Sequence, residues 1–130
     1  MSADEEVIAY RLERARETLQ ESYLMAEAEH WNACVNRLYY ACFYAATALL
    51  LQKGFARAKH TGVRALLNQH LVKTGVVEKP LGLLYNELFD SRNESDYRDL
   101  VRLGAERVQP LLPRAQEFIE AIEGLVRAKQ

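Results

Sequence analysis

Cysteines, prolines, histidines and long apolar runs are all scarce in this 130-residue chain. Its only cysteines, Cys34 and Cys42, stand eight residues apart in one predicted helix. That is about 12 Å along the axis, beyond the reach of a disulfide. Free thiols in a reducing cytosol are therefore expected, and a chain of this length can bury a core without staples. The longest apolar run, Ala41 to Leu51, is shorter than the ~20 residues of a bilayer crossing. The first thirty residues are charged throughout and leave no room for a signal-peptide apolar region. The expectation is one soluble, cytoplasmic domain over 1–130 with no membrane partner.

The usual catalytic signatures are missing too. There is no Gly-rich phosphate loop, no CxxC pair, no HExxH and no serine in a nucleophile elbow. His30, His60 and His70 are scattered, and two cysteines on a core-facing helix read as small buried hydrophobes. Neither a metal nor a cofactor is expected. The net charge of -1 argues against indiscriminate coating of nucleic acid, which requires many phosphates to be neutralised. The charge is nevertheless uneven: residues 1–29 carry eight acids against three bases, whereas 53–77 hold five bases and no acid. One edge should be positive.

Helical periodicity fills the rest. Ser2 and Glu5 match a capping box, and Ile8, Leu12, Ala15, Leu19, Ser22 and Ala26 follow at alternating spacings of four and three. A second helix, Trp31 to Lys53, has one stripe in Val35, Leu38, Cys42, Ala45 and Leu49 and an opposite face with Arg37, Tyr40 and Tyr44. An element apolar on both sides belongs at a centre or an interface. Gly54 ends it. A third helix is expected near Gly62 to Lys73, a fourth over Lys79 to Ser95 with Pro80 in its first turn, and a last one ending at Ala128. No strand pattern, repeat or low-complexity linker competes. The fold class is all-α, an antiparallel up-and-down bundle of four to five helices.

One position breaks the pattern. Val77, Leu81, Leu84 and Leu88 share a stripe that Arg92, Ser95 and Asp99 continue, so an apolar line turns polar. Either the helix runs into solvent there or the bundle holds a polar site.

Four stretches, "NRLYYACFYAATALLLQKG", "KHTGV", "LVKTGVV" and "LFDSRNESDYRD", carry a resemblance that spans nearly the whole chain in order. The sequence resembles the HEPN domains, the higher eukaryote and prokaryote nucleotide-binding family, and most closely small stand-alone prokaryotic members of the UPF0332 type. The resemblance implies an up-and-down helical bundle, a homodimer, and a minimal nucleotidyltransferase as partner in a toxin-antitoxin-like pair. Many members are similar to metal-independent ribonucleases whose motif is an arginine followed, four to six residues on, by a histidine.

Arg92 falls where that arginine would stand. Five residues later this chain has Tyr97, and no histidine follows. Attack by a 2'-hydroxyl needs proton transfer near neutral pH, which suits His at about 6.5 and not Tyr at about 10. An arginine alone can still grip a phosphate. The leading expectation is an interaction module that binds a nucleotide or RNA phosphate through Arg92, Asp96, Tyr97, Arg37, Lys59 and His60, with Tyr40 and Tyr44 at a dimer interface. The alternatives are an endoribonuclease toxin using Arg92 with Tyr97 or His60, and a structural helical adaptor without a ligand site. Arg92 and Asp96 could equally form an ion pair at a helix end, and Tyr40 and Tyr44 could be packing aromatics. A site shared by Arg92 and Tyr97 requires the helix to end near Ser95, because in a continuous helix they lie about 140° apart.

Overall fold

Ser2 begins the first helix as the sequence specifies. Its hydroxyl accepts from Glu5 N–H at 3.1 Å while the Glu5 carboxylate accepts from Ser2 N–H at 2.8 Å. A computed structural model of the protein describes residues 2–55, 60–97 and 101–128. Its elements are α1 (Ala3–Glu27), α2 (Trp31–Gln52), α3 (His60–Leu66), α4 (Lys79–Tyr97), α5 (Ala105–Val108) and α6 (Leu111–Ala128). Among the described residues no strand occurs.

The long helices alternate in direction. Arg16 on α1 meets Glu123 on α6, and Tyr23 meets Gln116, so these two run antiparallel. Asn36 and Tyr40 on α2 meet Asp96 and Arg92 on α4 in the same opposed sense. The expected bundle is therefore present, with α2 at its centre. Cys34, Val35, Leu38, Tyr39, Cys42, Ala45 and Leu49 of α2 are all wholly buried. By length and hydropathy α2 could cross a membrane, yet 61% of its apolar stretch is buried by the other helices, as in the core helix of a bundle.

The packing centre is aromatic. Tyr39 and Tyr85 have ring centroids 5.8 Å apart, as do Tyr85 and Phe118, joining α2, α4 and α6. Each ring of this size contributes roughly 1.5–3 kcal/mol through burial. Both cysteines are free and buried. Burial pushes the Cys34 thiol up to about 11, and that of Cys42 higher still.

Three boundaries differ from the sequence expectation. The third helix begins at His60 and widens into a π-helical stretch, Leu67–Val72, which the apolar spacing did not signal. There α4 comes close: a Cβ on Gly82 would stand 2.7 Å from Val72 Cγ2, so a larger residue would force Val72 to move. The last helical region is split into α5 and α6 around Pro110. Pro113, in the first turn of α6, costs no intrahelical bond. The fourth helix continues past Ser95 to Tyr97.

Candidate functional site: an arginine cluster between two helices

The stripe that turns polar does not run into solvent. Val77, Leu84 and Leu88 are buried, and so are Ser91 and Arg92, the latter only 6% exposed. Tyr39 and Tyr40 of α2 supply the floor, with the Arg92 guanidinium carbon 5.1 Å and 5.3 Å from their ring centres. Its NH2 donates to the Tyr40 hydroxyl at 3.1 Å and its NH1 to Asn93 Oδ1 at 3.2 Å. Its Nε faces Asp96 Oδ2 at 3.2 Å, one turn on. A guanidinium can lie this deep because ring faces and polar groups stand in for water.

The cluster extends across α2. Asn36 Nδ2 donates to Asp96 Oδ2 at 3.0 Å, while Asn36 Oδ1 accepts from Arg37 Nε at 3.1 Å and NH2 at 2.8 Å. The Arg37 NH1 donates to Glu21 of α1 at 3.2 Å, and its guanidinium carbon sits 5.4 Å from the Tyr40 ring centre. Arg37 and Arg92 thus flank one tyrosine, and a single asparagine connects Arg37 to Asp96, the partner of Arg92. Sequence reasoning missed Asn36. The only signal was its place beside Arg37 on the half-open stripe of α2.

Of the expected site residues, the structure brings together Arg92, Asp96, Arg37 and Tyr40. Tyr44 stands apart from them: its ring packs on Phe43, centroids 6.1 Å apart, beneath Arg14. Lys59 and Asp99 lie outside the described residues, as do the side chains of His60 and Tyr97. The backbone of α4 continues through Tyr97 rather than ending near Ser95. Among the described residues no three potential ligands from His, Cys, Asp or Glu come together.

Chemically the cluster can hold an anion. Arg92 is fixed in direction by the rings and by Tyr40, whereas Asp96 keeps 27% of its side chain exposed. The carboxylate occupies the place a phosphate oxygen would take on Nε, and Asn36 would offer that oxygen a second donor.

This fold and this cluster define a class. A HEPN domain profile matches residues 8–125, and the chain belongs to the HEPN family. Within it, a UPF0332 protein of Thermotoga maritima is 44% identical over 97% of this chain and 96% of its own length, which places the chain in that branch. A Methanocaldococcus jannaschii protein named as a candidate toxin is 30% identical over 83% of this chain and 74% of its own length. The crystal structure of TT1696 from Thermus thermophilus superimposes with a TM-score of 0.77, covering 91% of this chain and 97% of that one, at 18% identity. That likeness concerns the fold alone.

Proposed function

We propose that the protein is the HEPN-type, toxin-like member of a two-component pair, a homodimer in the cytoplasm that binds an RNA or nucleotide phosphate at the Arg92 and Arg37 cluster. The observation that carries this reading is the fixed guanidinium of Arg92, faced by a half-open carboxylate that a phosphate can displace. The relatives named as candidate toxins agree with the class of role. The other component would be a minimal nucleotidyltransferase, as the family resemblance implies. The half-buried Tyr40, Phe43 and Tyr44 stripe of α2 would meet the second copy.

Titration of the purified protein against fluorescent single-stranded and structured RNA tests the reading. Arg92→Leu should remain folded and lose binding at least tenfold. A folded Arg92→Leu that binds as the wild type does would refute it. Light scattering should give twice the mass of one chain, and Tyr44→Glu should lower that mass.

A second reading, RNA cleavage, has one support. His30 lines the same groove as Ser95, which is one turn along α4 from Arg92. Cleavage in the presence of a chelator, lost in His30→Ala, would make this the correct description.

A further inference from the structure

The turns that end α1 and α2 are built alike. In the first, Glu29 N–H donates to Ala26 O at 3.0 Å and His30 N–H to Met25 O at 2.9 Å. In the second, Gly54 N–H donates to Leu51 O at 3.0 Å and Phe55 N–H to Leu50 O at 2.8 Å. Both put one residue in the left-handed region, Gly54 at φ 98° and Glu29 at φ 59°. Glycine suits that position and a side chain does not.

Glu29 opens onto a groove of about 760 Å³, large enough for one nucleotide. Its walls are this turn, the start of α2, Ser95 of α4 and the strap 101–103. The strap is fixed by Asn32, whose Nδ2 donates to Val101 O at 3.0 Å and whose Oδ1 accepts from Leu103 N–H at 2.8 Å. That wall is therefore held against the start of α2. The groove's lining includes an acidic residue, Glu29, the half-buried Trp31 and the exposed Arg102. Seven arginines elsewhere are each held against a carboxylate. Arg102, like Arg11 and Arg127, has no such partner among the described residues.

We propose that this groove is a guanine-recognition subsite, distinct from the arginine cluster that it adjoins. The base stacks on Trp31, and the phosphate is held by Arg102. The Glu29 carboxylate, which can only accept, takes the paired N1–H and N2–H donors of guanine. Adenine, cytosine and uracil do not present that donor pair. The proposal deepens the reading of the cluster as a phosphate site, since Ser95 belongs to both walls.

Trp31 is the only tryptophan in the chain, so its fluorescence reports on this groove. GMP should quench it saturably, about tenfold or more tighter than AMP, CMP or UMP, the discrimination expected of one bidentate base contact. Glu29→Gln should erase the preference for GMP, and Arg102→Ala should weaken GMP while leaving guanosine unchanged. A non-saturating quench that is equal for all four nucleotides would overturn the proposal, as would either variant titrating like the wild type. A 5'-phosphorylated, guanine-containing single-stranded RNA that quenches more tightly than GMP assigns the site to RNA, and GMP quenching without any RNA response assigns it to a free nucleotide. RNA binding that leaves Trp31 unquenched overturns the groove alone. GMP quenching that persists in Arg92→Leu separates the groove from the arginine cluster.

Discussion

Two polar regions flank the last turns of α4, and they treat their charges in opposite ways. In the cluster every guanidinium is answered: Arg92 by Asp96, Tyr40 and Asn93, Arg37 by Glu21 and Asn36. In the groove, Arg102 is left without a carboxylate among the described residues, and the one committed polar side chain, Asn32, serves the backbone. Burial explains the difference, because a charge withdrawn from water must be paired and one that keeps its water need not be. The cluster's pairing therefore fixes the guanidiniums in place, and a phosphate would enter there by displacing the Asp96 carboxylate. Among the described residues the charges of the groove have no ion-pair partner, which leaves them available to an external one.

Alkali should produce the largest effect, through the buried interior beneath the cluster. Burial raises the Tyr39 hydroxyl under Arg92, the Tyr85 hydroxyl and both thiols above their ordinary values. These groups stay protonated in the folded chain, so their contribution is complete below the unfolded values and is lost as pH rises above about 9 for the thiols and about 10 for the phenols. Each thiol costs about 1.4 kcal/mol per pH unit between about 9 and its raised value, and the phenols add to that loss. Together they remove several kcal/mol by pH 11, a large share of the stability of a small domain. Melting temperatures taken across pH 8 to 11 should fall steeply, and Cys34→Ala with Cys42→Ala should flatten the curve.

The next effect sets the two arginines against each other. Arg92→Leu removes the partner of Asp96 and of the Tyr40 hydroxyl and should cost about 2 kcal/mol in chemical denaturation. Arg102→Leu should stay within about 0.5 kcal/mol of wild type. Equal losses would erase the distinction between a paired and an open region. Asp96→Ala sharpens it from the other direction. Freed of its carboxylate, Arg92 should bind RNA about three- to tenfold more tightly at low salt while stability falls by about 1 kcal/mol. Weaker binding would make Asp96 a ligand in its own right rather than an occupant of the anion position. Tyr40→Phe, which deletes one hydroxyl, should cost about 1 kcal/mol and leave the bundle intact.

How much of this was legible in the sequence depends on the range of the interaction involved. Periodicity of 3.6 residues and the Ser2 cap are local, and they gave α1, α2, α4 and the body of α6. Arg92 was found because it interrupts a stripe, which is a local irregularity. Asn36 and Asn32 were not, because their importance lies in partners sixty or more residues away. The π-helical stretch after Leu66 had no visible signal in spacing alone, and its last residue, Val72, lies against Gly82 of α4. Glu29 was invisible for a related reason. Its left-handed backbone appears only once α1 and α2 are folded back on each other, and glutamate is not a residue that announces such a turn.

That turn supplies the smallest expected effect, and its sign matters more than its size. Gly54 and Glu29 hold equivalent positions in like hydrogen-bonded turns. A Cβ on Gly54 meets nothing within 4 Å, so Gly54→Ala isolates the conformational cost and should destabilise by about 1 kcal/mol. Glu29→Gly should do the reverse and stabilise by up to about 1 kcal/mol, offset in part by the greater freedom of glycine in the unfolded chain. Denaturant titrations of the pair give the two signs directly. A residue that can be exchanged for glycine with a gain in stability is not retained for the sake of the fold. If Glu29→Gly instead destabilises, its carboxylate supports the corner of the bundle, and the difference between the two turns is one of structure rather than of ligand binding.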